Sequence, residues 1–460
     1  MIDIYNRLKE MILELQESDI EGGIPRRISV VESPGKATIF MGVRRSGKST
    51  FLFQRINRLL EGGVQRSNIL YLNFFDDRLH PLLRGEIGTL LEAYYSLYPE
   101  KKNRETVHCF FDEIQVAPGW ESFVDRLMRT ENCTVTLTGS SARMLSREIA
   151  TQMRGRSLSW EIFPFSFREF LDSRGIDSAL PLSPRSRLLV QKGFDQYFEA
   201  GGFPEVAGAA RPLRIKTHQE YFNALLFRDL IERHDISHPR ALTDLAYRLI
   251  DSIASLYSVN ALTGYLKSLG HKAPKPAVSD YLEWFEDAYF LFTVRLFDAS
   301  WARSNANPKK IYCIDSSLAM SVGSGILVNT GHLLENLVFL SLRRLTRNIF
   351  YYRCKSGREV DFLVFGADRS RQLVQVCESL AAPLTRKRET IALSEAMAEL
   401  GLNTGTLVTR NEEGPIEVPS GTISLVPAWR FLLELPEADL VELPPLPADE
   451  NPSDLMRRKG

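Results

Sequence analysis

The stretch Gly42-Val43-Arg44-Arg45-Ser46-Gly47-Lys48-Ser49-Thr50 matches the pattern G-x-x-x-x-G-K-[ST], in which x is any residue. The preceding residues, Ala37–Met41, are apolar and β-prone, and the residues after it, Ser49–Leu60, carry apolar side chains at helical spacing. A strand, a glycine-containing loop and a helix in this order predict a phosphate-binding loop. We therefore expect the chain to bind a nucleoside triphosphate.

Each part of this stretch has a role in binding phosphate. Glycine lets the backbone approach the phosphates, and the following helix directs its first N–H groups and its positive dipole end at them. Lys48 is expected to reach the β- and γ-phosphates, and the Ser49 hydroxyl is expected to help hold Mg²⁺. The residues predicted to bind the nucleotide are Gly42, Val43, Arg44, Arg45, Ser46, Gly47, Lys48, Ser49 and Thr50.

An acidic pair follows a second apolar segment. Val107–Phe111 is β-prone and leads into Asp112 and Glu113. Asp112 is expected to hold Mg²⁺ directly or through water, and Glu113 to orient and deprotonate the attacking water. Because successive residues of a strand point to opposite faces, two adjacent acids can take these different roles.

Another predicted strand, Thr134–Leu137, ends in Thr138-Gly139-Ser140-Ser141. In open α/β sheets, ligands bind at the edge where the carboxyl ends of the strands meet. Ser140 or Ser141 could therefore hydrogen-bond the γ-phosphate or the attacking water, although a plain strand-to-helix turn explains the stretch equally well. The chain contains no guanine-specifying Asn-Lys-x-Asp, which favours ATP over GTP.

Phosphoryl transfer also uses a cation on the developing charge, often an arginine from a second subunit. Arg154 and Arg156, which flank Gly155, are the candidates for this arginine finger. Competing candidates are Arg143, Arg147, Arg228 and Arg233. For each of them alone, an arginine in solvent or in a salt bridge is an equally good interpretation. A finger from a second subunit would require a homo-oligomer.

The composition is that of a large soluble chain with several domains. The 460 residues include 57 basic and 57 acidic side chains, so no overall field attracts nucleic acid or a membrane. The five cysteines form no CxxC pair and no metal-binding spacing, and four lie in β-prone apolar stretches. This pattern favours buried, reduced thiols and a cytoplasmic protein. No apolar run approaches the roughly 18 residues that span a bilayer, so no membrane partner is expected.

Strands alternate with helical stretches in the first third of the chain, where Ile69–Asn73 is a further predicted strand. This alternation predicts an α/β fold with a parallel sheet covered on both faces. From residue 161 to about 239 the pattern is mostly helical, and residues 330–430 return to mixed α/β. The last two dozen residues are rich in Pro, Glu and Asp and are expected to be disordered.

Many blocks of this sequence resemble a family of prokaryotic AAA+ ATPases of largely unknown function. Members of that family carry a C-terminal domain of unknown function with a restriction-endonuclease-like core. The blocks are GVRRSGKST, FFDEIQ followed by Trp120, LTGSSARML, Gly155-Arg156, PFSFREFL, GGFPEV at Gly201–Val206, FRDLIERH at Phe227–His234, KIYCIDSSLA at Lys310–Ala319, ENLVF at Glu335–Phe339, GREVDFLV at Gly357–Val364 and LVQVC at Leu373–Cys377.

The resemblance covers most of residues 25–430 and implies a particular architecture. In chain order, it implies an AAA+-type P-loop ATPase core at 25–160, a helical lid at 161–239, a winged-helix-like module at 240–325 and an α/β restriction-endonuclease-like domain at 326–435. Apolar residues at helical spacing predict an N-terminal helix at 1–24, and the composition of the last residues predicts a disordered tail at 436–460.

The resemblance also implies a nuclease-like site. In that fold a helix Glu, a strand Asp and a Glu/Gln-x-Lys on the next strand converge on a metal, which the carboxylates bind. Glu335 and Asp361 match the first two positions. Gln375 stands where an acid is usual and Cys377 where the lysine belongs, and a thiol supplies neither its charge nor a hard-metal ligand. We expect a catalytically degraded domain used for binding or assembly, unless Lys387 takes the role of the lysine.

Residues 258–288 have the spacing of a helix–turn–helix with a glycine in the turn, as in DNA-binding modules. The basic residues that could contact phosphates are Lys272, Lys275, Arg295, Arg303, Lys309 and Lys310. The second helix also carries acidic residues that disfavour a DNA groove, namely Asp280, Glu283, Glu286 and Asp287. Contact with DNA and a protein-facing or purely structural role therefore both stay open.

Two functions from different classes follow. The first is Mg²⁺-dependent ATP binding and hydrolysis that drives a conformational change of a C-terminal region associated with DNA or a DNA complex. The second is a nucleotide-gated signalling or scaffold protein with slow hydrolysis and protein partners. An ATP-regulated nuclease is a less favoured third hypothesis. Stimulation of ATP hydrolysis by DNA would discriminate between the first two.

Overall fold

The computed structural model describes residues 4–79, 87–140, 153, 155–324 and 329–436. The chain divides into two compact units. The N-terminal unit comprises Met1–Arg26 and Val30–Phe163, and the C-terminal unit comprises Arg27–Ser29 and Pro164–Gly460. The following features of the sequence analysis lie outside the described residues: Ser141, Arg143, Arg147, Arg154 and the tail from residue 437 onward.

The N-terminal unit alternates strands with helices. Its described α-helices are α1 (Ile4–Glu17), α2 (Lys48–Glu61), α3 (Thr89–Leu97) and α4 (Trp120–Thr130). Its described strands are β1 (Ala37–Met41), β2 (Ile69–Asn73), β3 (Val107–Asp112), β4 (Cys133–Gly139) and β5 (Ser157–Glu161). Short 3₁₀ turns lie at Arg66–Asn68, Asp77–Leu79, Pro99–Lys101 and Ile114–Val116.

These five strands form one parallel sheet in the order β2-β3-β4-β1-β5. All five residues of β1 are buried, as expected for a strand covered on both faces. Because the strands are parallel, the loops after β1, β3 and β4 leave the sheet at the same edge. The predicted α/β fold with a parallel sheet is confirmed, and β4 lies between the strand of the phosphate loop and the strand of the acidic pair.

The C-terminal unit is mostly helical at first and mixed afterwards. Its described α-helices are α5 (Phe167–Ser173), α6 (Pro184–Ala200), α7 (Arg211–Ala224), α8 (Pro239–Ile250), α9 (Val259–Ser268), α10 (Lys275–Asp287), α11 (Trp301–Ala306), α12 (Ser316–Val322), α13 (Thr330–Arg343), α14 (Pro383–Leu400) and α15 (Ala428–Glu434). A π-helical segment, Leu225–Glu232, continues α7. No helix in the described part of the chain combines the length and apolarity needed to cross a membrane.

The strands of this unit are β6 (Leu256–Tyr257), β7 (Leu291–Leu296), β8 (Lys309–Cys313), β9 (Ile349–Arg353), β10 (Glu359–Phe365), β11 (Arg371–Val376), β12 (Thr404–Thr409), β13 (Gly414–Val418) and β14 (Gly421–Pro427). They form one sheet in the order β13-β14-β12-β11-β10-β9-β7-β8-β6. Strands β6 and β7 run antiparallel to β8, whereas β12 runs parallel to β11.

This sheet continues across the predicted boundary between residues 325 and 326. The continuity comes from β7, which pairs in parallel with β9 through Arg295 opposite Phe350 and Leu296 opposite Tyr351. Residues 240–325 and 326–435 therefore share one sheet and one compact unit.

The later half of this sheet has a buried apolar core beneath α14. Leu393 and Met397 of α14 lie at 0% exposure in the same cluster as Leu363, Leu373 and Leu407 of three adjacent strands. Burying a side chain of this size contributes about 1.5–3 kcal/mol. This packing fixes α14 on β10, β11 and β12.

Candidate functional site

The phosphate loop joins β1 to α2 at the carboxyl edge of the parallel sheet. Gly47 caps the N-terminus of α2 with φ 95°, a left-handed conformation that glycine adopts without strain. Gly42 approaches the chain after β5 so closely that a Cβ there would lie 2.1 Å from the carbonyl oxygen of Ile162. The first N–H groups of a helix have no intrahelical acceptor, so the start of α2 offers them to an anion.

Lys48 is buried, with 4% exposure, at the first position of α2. Its Nζ donates hydrogen bonds to the carbonyl oxygens of Gly42 and Val43, each at 3.1 Å, and lies 3.4 Å from Glu113 Oε1. A buried ammonium needs such partners, because an unpaired buried charge is costly. The side chain thus joins the loop to the acidic pair, and it would exchange these partners for phosphate oxygens.

Arg26 stabilises the phosphate loop through hydrogen bonds, and the sequence analysis did not identify it as a site residue. Its guanidinium donates to the carbonyl oxygen of Ser46 at 2.8 Å and to that of Phe163 at 2.6 Å. Its backbone N–H donates to Gln54 Oε1 on α2 at 3.0 Å. Since these two partners of the guanidinium are main-chain carbonyls, no sequence pattern marks this arginine. It holds the loop at Ser46 in the conformation that an anion would meet.

Asp112 is fully buried at the end of β3. Its carboxylate accepts hydrogen bonds from the hydroxyls of Thr138 and Tyr71, the latter at 3.2 Å. Burial raises the pKa of Asp112, and the hydrogen bonds with Ser49 and Thr138 oppose that rise. Because Ser49 lowers this pKa, its hydroxyl lies close to the carboxylate at the end of β3.

Glu113 stands beside Asp112 in a left-handed backbone conformation, with φ 53°. Its backbone N–H donates to the Thr138 hydroxyl at 2.8 Å, so one threonine positions both acids. Burial alone would raise the pKa of Glu113, but Lys48 and Gln115 outweigh it and lower the pKa below its usual value. Glu113 is therefore a carboxylate at neutral pH, which is the form that can accept a proton.

Gln115 links Glu113 to Ser140. Its Nε2 donates to Glu113 Oε2 at 2.6 Å and to the Ser140 hydroxyl at 3.3 Å. Ser140 is buried at the end of β4, so the predicted serine does lie beside the acidic pair. The sequence analysis missed Gln115 as a site residue although it closes the block FFDEIQ, in which it stands two positions after Glu113.

Replacing Gln115 by leucine is expected to slow ATP hydrolysis about tenfold. A hydrogen bond to a charged group contributes about 1.5 kcal/mol or more, which corresponds to a factor of about ten in rate. Steady-state hydrolysis and the Kd for ATP should be measured together, with Gln65→Leu on the surface of the same unit as control. Weaker ATP binding at unchanged turnover would contradict a role in positioning Glu113.

The residues near the loop fit a magnesium ion. Carboxylate, hydroxyl and phosphate oxygens are the ligands that Mg²⁺ prefers, and the neighbouring side chains of Asp112 and Ser49 supply the first two. Mg²⁺ usually keeps several waters and binds through one or two carboxylates together with substrate phosphates. One carboxylate and one hydroxyl at this edge are therefore sufficient protein ligands.

Arg156 lies at the opposite edge of the sheet. It precedes β5, and its carbonyl oxygen accepts a hydrogen bond from the N–H of Ala37 at the start of β1, at 2.8 Å. Its guanidinium lies 3.6 Å from Asp125 Oδ1 on α4. Since the phosphate loop follows the other end of β1, Arg156 does not reach the nucleotide site of its own chain. A role as arginine finger would require a second copy of the chain.

The C-terminal unit brings the predicted nuclease-like residues Glu335 and Asp361 together around Lys310. The Nζ atom of Lys310 lies 2.7 Å from Asp361 Oδ1 and 3.0 Å from Oε1 of both Glu335 and Glu359. Burial alone would lower the pKa of Lys310, but Asp361 and Glu335 raise it well above its usual value. The expectation that Lys310 contacts DNA phosphates is wrong, because its side chain is 3% exposed and faces these acids.

Gln375 and Cys377 have other partners. Gln375 accepts a hydrogen bond from the N–H of Asp361 at 3.1 Å and donates to Glu389 Oε2 at 2.8 Å. The Cys377 thiol donates to the carbonyl oxygen of Ser379 at 3.1 Å. Within the described ranges, no group of three or more His, Cys, Asp or Glu side chains is arranged to hold a metal ion. This site therefore does not fit a metal, since an ammonium already bonds its carboxylates.

Asn336, next to Glu335 on α13, is fully buried and fixes the end of β8. Its Oδ1 accepts from the N–H of Cys313 at 2.7 Å, and its Nδ2 donates to the carbonyl oxygen of Cys313 and to the Ser316 hydroxyl, each at 3.0 Å. The block ENLVF thus fastens β8 twice, through Glu335 and through Asn336.

The basic residues considered for DNA contact differ in exposure. Arg295 and Lys309 are half-buried, and burial lowers the pKa of Lys309. The exposed ones are Lys272, Lys275 and Arg303. On α10, Glu286 accepts a hydrogen bond from the N–H of Thr293 at 2.8 Å, so its carboxylate faces β7. The exposed basic surface is therefore smaller than the sequence indicates.

The parallel sheet, the loop that begins α2 and the acidic pair at the end of β3 define a P-loop ATPase of the AAA+ type. An AAA domain profile matches residues 34–171, and two domains of unknown function, DUF8612 and DUF4143, match residues 191–328 and 330–431. An uncharacterized protein of Methanocaldococcus jannaschii is 34% identical over 445 residues, which cover 94% of this chain and 96% of that one. The chain belongs to this family of AAA+-type P-loop ATPases of unknown function, as the sequence blocks indicated.

Two further similarities extend the comparison. An uncharacterized protein of Haemophilus influenzae is 30% identical over 335 residues, covering 72% of this chain and 80% of that one. Among solved structures, the Aeropyrum pernix ORC1 protein in complex with DNA aligns with a TM-score of 0.30 and 14% identity. That alignment covers 69% of this chain and 89% of the ORC1 chain.

Proposed function

We propose that this protein binds ATP with Mg²⁺ and hydrolyses it at the phosphate-loop site. The observation that carries this proposal is the convergence of the loop with the acidic pair. Lys48 Nζ lies 3.4 Å from Glu113 Oε1, and the Ser49 side chain lies near enough to Asp112 to lower the pKa of that carboxyl group. The absence of an Asn-Lys-x-Asp sequence favours ATP over GTP as the substrate.

Each residue has a defined task in this proposal. Lys48 binds the β- and γ-phosphates, and Ser49 and Asp112 hold the metal, which would draw negative charge from the phosphate oxygens. Glu113 orients a water and accepts its proton, because it is ionised and adjacent to the loop. Ser140, joined to Glu113 through Gln115, supplies a hydroxyl for the γ-phosphate or the water.

The C-terminal unit is proposed to act on DNA or on a DNA-associated complex when ATP is turned over. Supporting this, the order α8-β6-α9-α10-β7-α11-β8 is helix, strand, two helices and two strands with the short helix α11 between them, which suits a winged helix. The order α13-β9-β10-β11-α14-β12, with β12 parallel to β11, suits a restriction-endonuclease-like core. Lys272 in the turn before α10 and Lys275 at the start of α10 are exposed and could contact phosphates.

The second candidate is a nucleotide-gated scaffold with slow hydrolysis and protein partners. The specific observation in its favour is the burial of Lys310 and the partial burial of Arg295 and Lys309. Only three of the six basic residues considered for phosphate contact remain exposed, and the net charge of the chain is zero. Either function could involve a homo-oligomer, which an arginine finger would require.

We expect steady-state ATP hydrolysis to require Mg²⁺ and to be absent from Lys48→Ala, which removes the phosphate-binding ammonium. The measurement is made with and without single- and double-stranded DNA. Stimulation of several-fold by DNA would support the DNA-coupled ATPase, and slow turnover indifferent to DNA would support the scaffold. Equal turnover in Lys48→Ala and the unaltered chain would contradict the proposed site.

A further inference from the structure

Lys310 is a buried cation enclosed by three carboxylates. A protonated lysine has three N–H donors, and here three carboxylate oxygens, from Asp361, Glu335 and Glu359, lie 2.7–3.0 Å from its Nζ. Taking an ammonium out of water is costly unless opposite charges and hydrogen bonds surround it. Each N–H donor of the ammonium can therefore have its own carboxylate oxygen. The ammonium lies where the restriction-endonuclease-like fold would bind a metal.

Two further donors contact the carboxyl groups of this cluster. The Tyr312 hydroxyl donates to Glu335 Oε1 at 2.7 Å, and the N–H of Val376 donates to Asp361 Oδ2 at 2.9 Å. A magnesium or manganese ion demands near-octahedral oxygen ligands at about 2.0–2.1 Å. It could approach Glu335 and Asp361 only by displacing the ammonium that lies between them.

We propose that the Lys310 ammonium takes the place of the divalent cation in this cluster, which is closed to metal and fastens β8 to α13 and β10. The inference concerns the C-terminal unit alone and does not depend on ATP hydrolysis. The proposal also assigns a structural role to the two acidic residues of the nuclease-like site. Glu335 and Asp361 act as counter-ions of a lysine that comes from an earlier strand.

One structural consequence is that the elements from α8 to β7 cannot move independently of the strands that follow β8. Strands β6 and β7 both pair with β8, so contacts that hold β8 in place also hold these elements. The Lys310 cluster and the hydrogen bonds of Asn336 with Cys313 hold β8 from the side of α13. Residues 239–436 would then respond to a partner as one body.

The first test is manganese binding by the full chain without nucleotide, followed by electron paramagnetic resonance. The variant Asp112→Asn serves as parent, because it weakens the metal site at the phosphate loop. We expect adding Asp361→Asn to this parent to leave manganese binding unchanged. A manganese site in the parent that disappears with Asp361→Asn would overturn the proposal.

The second test removes the ammonium. Lys310→Ala, added to the same parent, leaves three carboxylates around an emptied volume, so we expect one new manganese site per chain. That site should be lost again when Asp361→Asn is added. The neighbouring Lys309→Ala, which lies outside the cluster, should gain no site. A folded Lys310→Ala chain that gains no manganese site would also overturn the proposal.

Thermal unfolding keeps the proposal testable if Lys310→Ala is too unstable for titration. Millimolar Mn²⁺ should raise the melting temperature of Lys310→Ala by several degrees and leave that of the parent unchanged, because a ligand stabilises the state that binds it. No rise in Lys310→Ala would contradict the exchange of ammonium for metal. Plasmid DNA incubated with the unaltered chain and Mg²⁺ or Mn²⁺ should stay intact, and cleavage abolished by Asp361→Ala would overturn the closed site.

Discussion

Replacement of Glu113 by glutamine is expected to leave ATP bound while hydrolysis falls about 10²- to 10⁴-fold, the usual contribution of a general base. Glutamine matches the shape of glutamate but cannot accept the proton of the attacking water. Lys48 lies 3.4 Å from Oε1 of Glu113 and Gln115 lies 2.6 Å from Oε2, so the single amide oxygen of glutamine can keep one of these two donors. The chemical step should therefore suffer far more than the binding of nucleotide.

The measurement pairs the Kd for ATP with the single-turnover rate of hydrolysis. Glu100→Gln, at an exposed position of the same unit, is the matched control and should behave as the unaltered chain. Lys48→Ala should differ from Glu113→Gln by losing nucleotide affinity as well. Turnover of Glu113→Gln within a factor of two of the unaltered chain would remove Glu113 from the role of base.

The nucleotide site could be predicted from the sequence because its parts are short and local. The loop, Lys48 and Ser49 form one continuous stretch, and Asp112 and Glu113 are adjacent at the end of an apolar strand. Parallel strands bring such ends to one edge, so their proximity follows from the fold class. The order of the strands does not follow from the fold class. The sequence analysis therefore did not predict that β4 lies between β1 and β3.

The supporting residues could not be predicted, because their contacts depend on tertiary structure. Tyr71 reaches Asp112 across 41 positions, and Arg26 reaches Phe163 across 137. Gln115 had a local signal, since it stands in the block FFDEIQ, but only the structure joins it to Ser140. For Arg156 the sequence indicated a site residue that the structure does not bring to the site. Its Gly-Arg block suggested a role in catalysis, but the residue lies at the edge of the sheet opposite the phosphate loop.

In the C-terminal unit, the sequence predicted that two acidic side chains converge, but it did not predict the cation that lies between them. Glu335 and Asp361 do meet, 26 positions apart in the chain. The cation between them comes from Lys310, which the helix–turn–helix pattern had suggested for a surface role. Its block, KIYCIDSSLA, was a signal that could have found it, because the side chains of Lys310 and Tyr312 and the backbone of Cys313 all bond to α13.

Asn336→Ala is expected to lower the free energy of unfolding of the C-terminal unit by about 2–5 kcal/mol. The alanine leaves the N–H and the carbonyl oxygen of Cys313 buried without their present partner, at about 1–3 kcal/mol for each unsatisfied group. It also removes the hydrogen bond to the Ser316 hydroxyl. Asn336→Asp should be at least as harmful, because it keeps the acceptor for Cys313 but buries a further negative charge beside Glu335.

Urea unfolding of the full chain and hydrogen exchange of the β8 amides test this together. The matched control is Asn305→Ala on α11, where the asparagine is exposed and a change within about 0.5 kcal/mol is expected. Faster exchange at Cys313, with the sheet of the N-terminal unit unchanged, is the expected local result. If Asn336→Ala proved as stable as Asn305→Ala, the side chain of Asn336 would not hold β8. The fastening would then rest on Lys310 and its three carboxylates alone, and a Lys310 variant should account for nearly all of the lost stability.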